Sequence, residues 1–149
     1  MTDIRALTPD DQERWLPLWQ GYLTFYEATL PAAVTAMTWQ RLIDPAEPVH
    51  GALAFDESGR AVGLVQWIFH RSTWSEGSVC YLNDLFVDPT LRGKGTGRAL
   101  IAHVHADALA NGASKVYWLT HETNQTAQKL YNAVAERTGF IQYRQLLAP

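Results

Sequence analysis

Apolar positions along the chain switch between a strand-like and a helix-like period, and the switches mark its elements. Residues 3–7 read as a first strand. Thr8 then stands as a helix N-cap, with Pro9 at the first helical position and Asp10 and Asp11 in the first turn. The helix is expected to run to about residue 28, bent at Pro17. Trp15, Trp19, Tyr22 and Tyr26 fall at i, i+4, i+7 and i+11, so they share one face. A second, short helix is expected over residues 35–43, ending before Pro45. Residues 51–55 and 61–69, joined by Asp56-Glu57-Ser58-Gly59, read as a hairpin. The next strand, residues 77–87, is stopped by Asp88-Pro89. Residues 95–110 are helical, with Leu100, Val104 and Ala108 on one face and Asn111-Gly112 as the C-terminal stop. A short strand over 115–120 follows. A helix from Thr123 or Asn124 then runs to about Arg137, and after Gly139 a last strand is expected over 140–146. The order β, α, α, β, β, β, α, β, α, β describes a mixed α/β fold in one domain, residues 1–149.

Size and charge narrow the choice. At 149 residues the chain can bury a core without staples. Its net charge of −3 argues against a nucleic-acid binder, which would carry a basic excess. Cys80 is the single cysteine, so there is no internal disulfide and no thiolate cage, and no cluster suggests a metal. No run approaches the roughly 18 apolar residues of a membrane span. The polar start at residues 1–5 lacks an apolar leader, so a soluble cytoplasmic protein is expected.

Basic side chains gather at one place. Leu91-Arg92-Gly93-Lys94-Gly95-Thr96-Gly97-Arg98 follows a strand and opens a helix. Glycines at alternate positions let the backbone turn and present its N–H groups, and the helix adds the positive end of its dipole. Such a turn suits a phosphate or pyrophosphate. No Walker lysine followed by Ser or Thr is present, which argues against a P-loop nucleotide.

Residues 92–97 resemble the Arg/Gln-x-x-Gly-x-Gly/Ala acetyl-CoA loop of the GNAT N-acetyltransferases. Val87-Asp88-Pro89 precedes the loop at the family's usual distance. Asn124-Gln125-Thr126-Ala127-Gln128-Lys129-Leu130-Tyr131 is similar to the family's Asn-x-x-Ala-x-x-Leu-Tyr signature, and Gly139-Phe140 matches the Gly-Phe that follows. Phe25-Tyr26-Glu27, His70-Arg71-Ser72-Thr73-Trp74, Tyr117-Trp118-Leu119-Thr120 and residues 131–140 resemble a subgroup with enzymes acting on histone tails, small amines and D-amino acids. Tyr81-Leu82-Asn83-Asp84-Leu85-Phe86-Val87 resembles Tyr-Leu-Glu-Asp-Phe-Phe-Val of the spermidine/spermine and thialysine branch, with Asn83 replacing the first acid.

The resemblance implies a single-domain α/β fold: a mixed, mainly antiparallel twisted sheet flanked by about four helices. It implies transfer of acetyl from acetyl-CoA to a primary amine of a small molecule. Main-chain donors of Arg92, Gly93, Lys94, Gly95, Thr96 and Gly97 would hold the pyrophosphate, with Arg92 and Arg98 adding charge. The backbone of Leu85, Phe86 and Val87 would pair with the pantetheine amides. Asn124, Ala127 and Tyr131 would line the carrier's acyl end. Tyr131 would give a proton to the leaving thiolate, a step a phenol of pKa near 10 can perform. Asn124 is either a helix N-cap or an active-site contact. Asp84 is either the general base or anchor for a cation, or held in a structural ion pair or backbone hydrogen bond. His121 is a second base candidate or a surface histidine. His103 and His105, on the helix after the loop, are expected to be solvated. Tyr26, Glu27, Asn83, Asp84 and Trp118 would contact the amine, although strict strand alternation would send Asn83 and Asp84 to opposite faces. The aromatic stripe from Trp15 to Tyr26 is either core or a pocket wall. Family habit and apolar residues in the last strand point to a homodimer. A lysine or N-terminal protein acetyltransferase and a non-catalytic acetyl-CoA-binding module are the alternatives.

Overall fold

The computed structural model describes residues 3–148. The chain falls into two compact units, the first ending at Leu119 and the second beginning at Thr120. The first holds β1 (Asp3–Ala6), α1 (Gln12–Phe25), α2 (Ala32–Ile43), β2 (Val49–Phe55), β3 (Ala61–His70), β4 (Val79–Val87), α3 (Thr96–Ala110) and β5 (Val116–Tyr117). Its sheet runs β1-β2-β3-β4-β5. The first four strands pair antiparallel, and β5 joins β4 in parallel. A parallel neighbour needs a crossover, and α3 supplies it.

The first turn after β1 forms as the N-cap pattern predicts, but as a 3-10 turn over Pro9–Asp11. Thr8 N–H and Oγ1 both donate to Asp11 Oδ2, at 2.8 and 3.1 Å. Arg5 adds a two-pronged pair to the same carboxylate at 2.7 and 2.8 Å, and Arg14 closes from the side at 3.2 Å. α1 then runs through Pro17 and stops at Phe25. Its end is closed by Glu27 N–H to Thr24 O at 3.0 Å and Ala28 N–H to Leu23 O at 2.9 Å. This closure puts Glu27 at φ 53°, a left-handed position that glycine usually fills.

The aromatic stripe on α1 is a continuous stack. Trp15 and Trp19 lie 5.8 Å apart, Trp19 and Tyr22 5.5 Å, Tyr22 and Tyr26 4.9 Å. Its first half is core: Trp15 is fully buried and meets Trp39 of α2 at 5.1 Å. Burying one indole removes roughly 200 Å² of apolar surface, worth about 5 kcal/mol. Its second half climbs toward the surface, Tyr26 being 45% exposed. Gly21 makes this possible, since a Cβ there would stand 2.9 Å from the Phe86 ring. α1 therefore approaches β4 closely just where Tyr22 is needed. On α3 the predicted face of Leu100, Val104 and Ala108 is buried.

Some expectations are corrected. α2 starts at Ala32 rather than 35, because Pro31, extended at ψ 145°, sets the boundary. β5 is two residues long rather than six. In the second unit the helix, α4 (Gln125–Val134), ends three residues short of Arg137. The last strand over 140–146 does not form; residues 135–148 carry no regular structure. A strand persists only where its N–H and C=O groups pair with a neighbouring strand, and among the described residues no such pairing is made by residues 140–146.

Candidate active site

The glycine turn follows β4 and the short turn Pro89–Leu91. Gly93 and Gly95 both sit at φ +84°. No atom lies within 4 Å of where their Cβ atoms would be, so both faces of the backbone are open to a close-lying group. Gly97 is already inside α3, whose N-cap is Gly95. Main-chain donors, an open backbone and a helix start fit a diphosphate. Lys94 and Arg98 are exposed there. Arg92 is exposed as well, but its guanidinium lies 4.8 Å over Phe25 and 5.8 Å over Phe86, and its Nε donates to Val87 O at 3.3 Å. It ties the turn to the end of α1. A shallow depression of about 450 Å³ borders the turn on the hairpin side. Asp56 and Glu57 line it beside Lys94, which makes it a poor seat for an anion.

Upstream of the turn, the β4–β5 ladder covers only Cys80–Val116 and Tyr81–Tyr117. From Leu82 on, the β5-facing edge of β4 has no ladder partner among the described residues. Leu85, Phe86 and Val87 lie on this stretch, paired on the other side with Val65, Leu64 and Gly63.

The same strand is bulged. Gln66 opposes Asp84 and Trp67 opposes Leu82, so Asn83 is an extra residue on β4. Strict alternation fails there. Asn83 and Asp84 are not sent to opposite faces: Asn83 Nδ2 reaches Asp84 Oδ1 at 3.3 Å.

Asp84 is where the polar groups converge. Gln66 Nε2 donates to its Oδ2 at 2.7 Å, and the Tyr22 hydroxyl donates as well. Burial pushes the Asp84 carboxyl above the usual carboxylate range, while the donors from Tyr22, Gln66 and Asn83 hold it down. None of the ion pairs among the described residues involves it. The structural ion pair expected as an alternative is therefore not formed there. Around it the phenols of Tyr22, Tyr26 and Tyr81 are all raised, first by burial and then by the Asp84 charge. They stay protonated, so each keeps an O–H to donate. Burial also pushes the Cys80 thiol up to about 11, so it is no nucleophile at neutral pH.

The first unit thus brings together Tyr22, Tyr26, Tyr81, Asn83 and Asp84. Glu27 closes α1 beside Tyr26, and Trp118 follows β5. In the second unit Asn124 caps α4, its Oδ1 accepting from Ala127 N–H at 3.3 Å. Tyr131 lies two turns along the same helix, half-buried. His121 is exposed, and its Nδ1 accepts from Thr123 N–H at 3.2 Å. His105 is exposed as expected, but His103 packs edge-on against Trp67 at 5.8 Å. Sequence reasoning missed Gln66 and assigned no role to Tyr81. The signal for Gln66 was present: it is the one polar side chain in Ala-Val-Gly-Leu-Val-Gln-Trp-Ile-Phe, and it is buried.

An open stretch of β4 running into a glycine turn suits an extended carrier that ends in a diphosphate, as an acyltransferase uses. The chain belongs to the Acetyltransferase (GNAT) family, whose sequence profile matches residues 10–135. It is 40% identical over 142 residues to the D-amino-acid N-acetyltransferase HPA3 of Saccharomyces cerevisiae, covering 95% of this chain and 88% of that one. It is 37% identical over 73 residues to the thialysine N-epsilon-acetyltransferase of Bos taurus, covering 49% and 42%. In fold it is similar to the structure of AAC(6')-Iy in complex with a bisubstrate analog, CoA-S-monomethyl-acetylneamine (TM-score 0.85, 20% identity, 99% of both chains). It is an acetyl-CoA-dependent N-acetyltransferase.

Proposed function

We propose that this chain is a single acetyltransferase domain that acetylates the primary amine of a small molecule, an amino acid above all, with Asp84 as general base. The carrying observation is the environment of Asp84, a desolvated carboxylate faced only by neutral donors. It can attract an ammonium and then take its proton, directly or through one water. Tyr22, Tyr26 and Tyr81 form an aromatic wall on which an organic cation packs favourably. Similarity to an enzyme named for D-amino acids supports an amino-acid acceptor.

Acetyl-CoA supplies an activated thioester, held by main-chain donors of residues 92–97 and by the backbone of Leu85, Phe86 and Val87. The amine attacks within a ternary complex, so no group of the protein is acetylated. Its nitrogen forms the new C–N bond as the C–S bond breaks. The proton lost by the amine goes to Asp84, and Tyr131, at the family's Leu-Tyr position, gives its proton to the departing sulfur. Asn124 combines its capping role with a polar contact to the acyl end.

We also read the protein as a cytoplasmic homodimer. Phe140, Ile141, Tyr143, Leu146 and Leu147 are all more than three-quarters exposed, an apolar surface suited to a second copy. Sedimentation at micromolar concentration tests this; a monomer overturns it.

Release of free CoA, followed with a thiol reagent over a panel of D- and L-amino acids, polyamines and lysine peptides, tests the substrate class. Acetylated amino acids or amines are expected by mass spectrometry. Turnover of peptides alone would move the assignment to a protein acetyltransferase, and binding without turnover to a carrier-binding module. Gly95→Ala, strained at φ +84°, is expected to weaken acetyl-CoA about tenfold by calorimetry.

A further inference from the structure

Gln66 is 3% exposed, on β3 directly across from Asp84. Its side-chain oxygen accepts from Trp15 Nε1 at 2.7 Å, and its nitrogen donates to Asp84 Oδ2 at 2.7 Å. Trp15 is completely buried. An amide has two ends that could be exchanged by rotation, but an indole N–H is a donor with no acceptor capacity. Facing it, the amide must present oxygen. The nitrogen is then committed to Asp84, and the amide cannot turn round to offer a carbonyl to a protonated acid. Trp15 itself is fixed by stacking on Trp19 and Trp39.

We propose that Gln66 is a positioning residue for acetyl transfer: locked by Trp15, it holds Asp84 in one orientation and keeps its carboxyl group in the ionised, proton-accepting form. The proposal rests on the reading of Asp84 as general base and adds to it the device that keeps the base ready. The other groups facing Asp84 are Tyr22 and Tyr26 from α1 and Tyr81 and Asn83 from β4. All are neutral donors, and none is fixed from behind by a donor-only partner as Gln66 is by Trp15. α1 thus acts on the base from two levels: its exposed turn contributes phenols, and its buried turn sets the amide.

The consequence is a direction. Losing the Gln66 donor removes a hydrogen bond that favours the charged form, so the carboxyl titrates at higher pH. Placing a second carboxylate at 66 makes the two acids share a proton, so the pair loses its protons in two steps, the upper one above the natural Asp84 midpoint.

The test compares Gln66→Leu and Gln66→Glu with the natural protein. Glu matches the size of Gln and still accepts from Trp15, so it guards against a variant that fails to fold. Asp84 is titrated directly by carbon-13 NMR of labelled aspartate, and kcat/KM is followed against pH. The Asp84 midpoint is expected to rise by about one unit in Gln66→Leu, and in Gln66→Glu the Asp84 signal should follow two steps, the upper one above the natural midpoint. The acid limb of kcat/KM should move with it, lowering turnover about tenfold on that limb, with acetyl-CoA affinity unchanged. An unmoved Asp84 midpoint in folded Gln66→Leu, or the lack of an upper titration step in folded Gln66→Glu, overturns the proposal, whatever the melting temperature does. Asp84→Asn separates the underlying reading. If it keeps the natural acid limb, Asp84 is not the base, while the NMR midpoint still decides whether Gln66 governs it.

Discussion

Asp11 and Asp84 are both carboxylates drawn out of water against α1, one before its first turn and one beside its last. Asp11 is matched by cations. Arg5 grips it with two hydrogen bonds, Arg14 approaches from the helix, and the Thr8 backbone completes the set. Hydrogen bonding from Arg5, above all, holds its carboxyl far below the usual range. Asp84 has amide, amide and phenol, and burial carries it the other way. A carboxylate matched with guanidinium is a fixed charge that closes a turn. One surrounded by neutral donors is left with its affinity for a proton, which a general base needs. Asp11 is fully buried and Asp84 only partly, so the two roles follow from the charge of the partners rather than from depth of burial.

The comparison can be broken most sharply at Asp84. Asp84→Asn is expected to lower kcat roughly 10²- to 10⁴-fold, with acetyl-CoA still binding by calorimetry. Its stability should not fall at pH 8. A carboxyl whose folded pKa is raised adds stability below its unfolded pKa and loses it as pH rises through the folded value. Removing the charge removes that loss, so the melting temperature at pH 8 should equal or exceed that of the natural protein.

Asp11→Asn should do the reverse. It is expected to cost about 2 kcal/mol, since the arginines are half-exposed and screened. The melting temperature should drop by roughly 6 °C, with kcat within twofold. A lowered folded pKa gives stability above the unfolded value near 4, lost as pH falls toward the folded one. The two melting curves should therefore converge in strong acid. A large loss of turnover in folded Asp11→Asn would erase the distinction between the two acids.

Tyr131→Phe probes the proton donor rather than the acceptor. About a tenfold loss in kcat with unchanged acetyl-CoA affinity is expected; equal turnover would remove Tyr131 from the reaction. The smallest effect belongs to Glu27, at φ 53°. Glu27→Gly should stabilise the fold by about 0.5 kcal/mol in urea unfolding. A raised KM for the amine in the same variant would place the Glu27 side chain at the acceptor.

Much of this was visible in the residues. The stripe Trp15, Trp19, Tyr22, Tyr26 follows from helical spacing alone, and its first half is core while its second half reaches the surface. Gly93 and Gly95 were legible as a turn because few other residues enter that backbone region. The 140–146 strand was expected from apolar residues such as Phe140, Ile141, Tyr143 and Leu146, which report suitability for pairing, not whether a partner strand is met. Asn83 and Asp84 were sent to opposite faces because period-two reasoning assumes an unbroken ladder, and a bulge is a relation between two strands. Gln66 drew no reading, because a lone polar residue in an apolar run does not show which partner it will meet.

By itself the sequence determined most of the elements, the glycine turn after β4 and the acids available, since these depend on local spacing and backbone preference. Tertiary structure decided which acid pairs with arginine and which with an amide, and that a buried indole dictates how that amide points. Proton affinity is set by neighbours in space, and Trp15, Gln66 and Asp84 become neighbours only when α1 lies on the sheet.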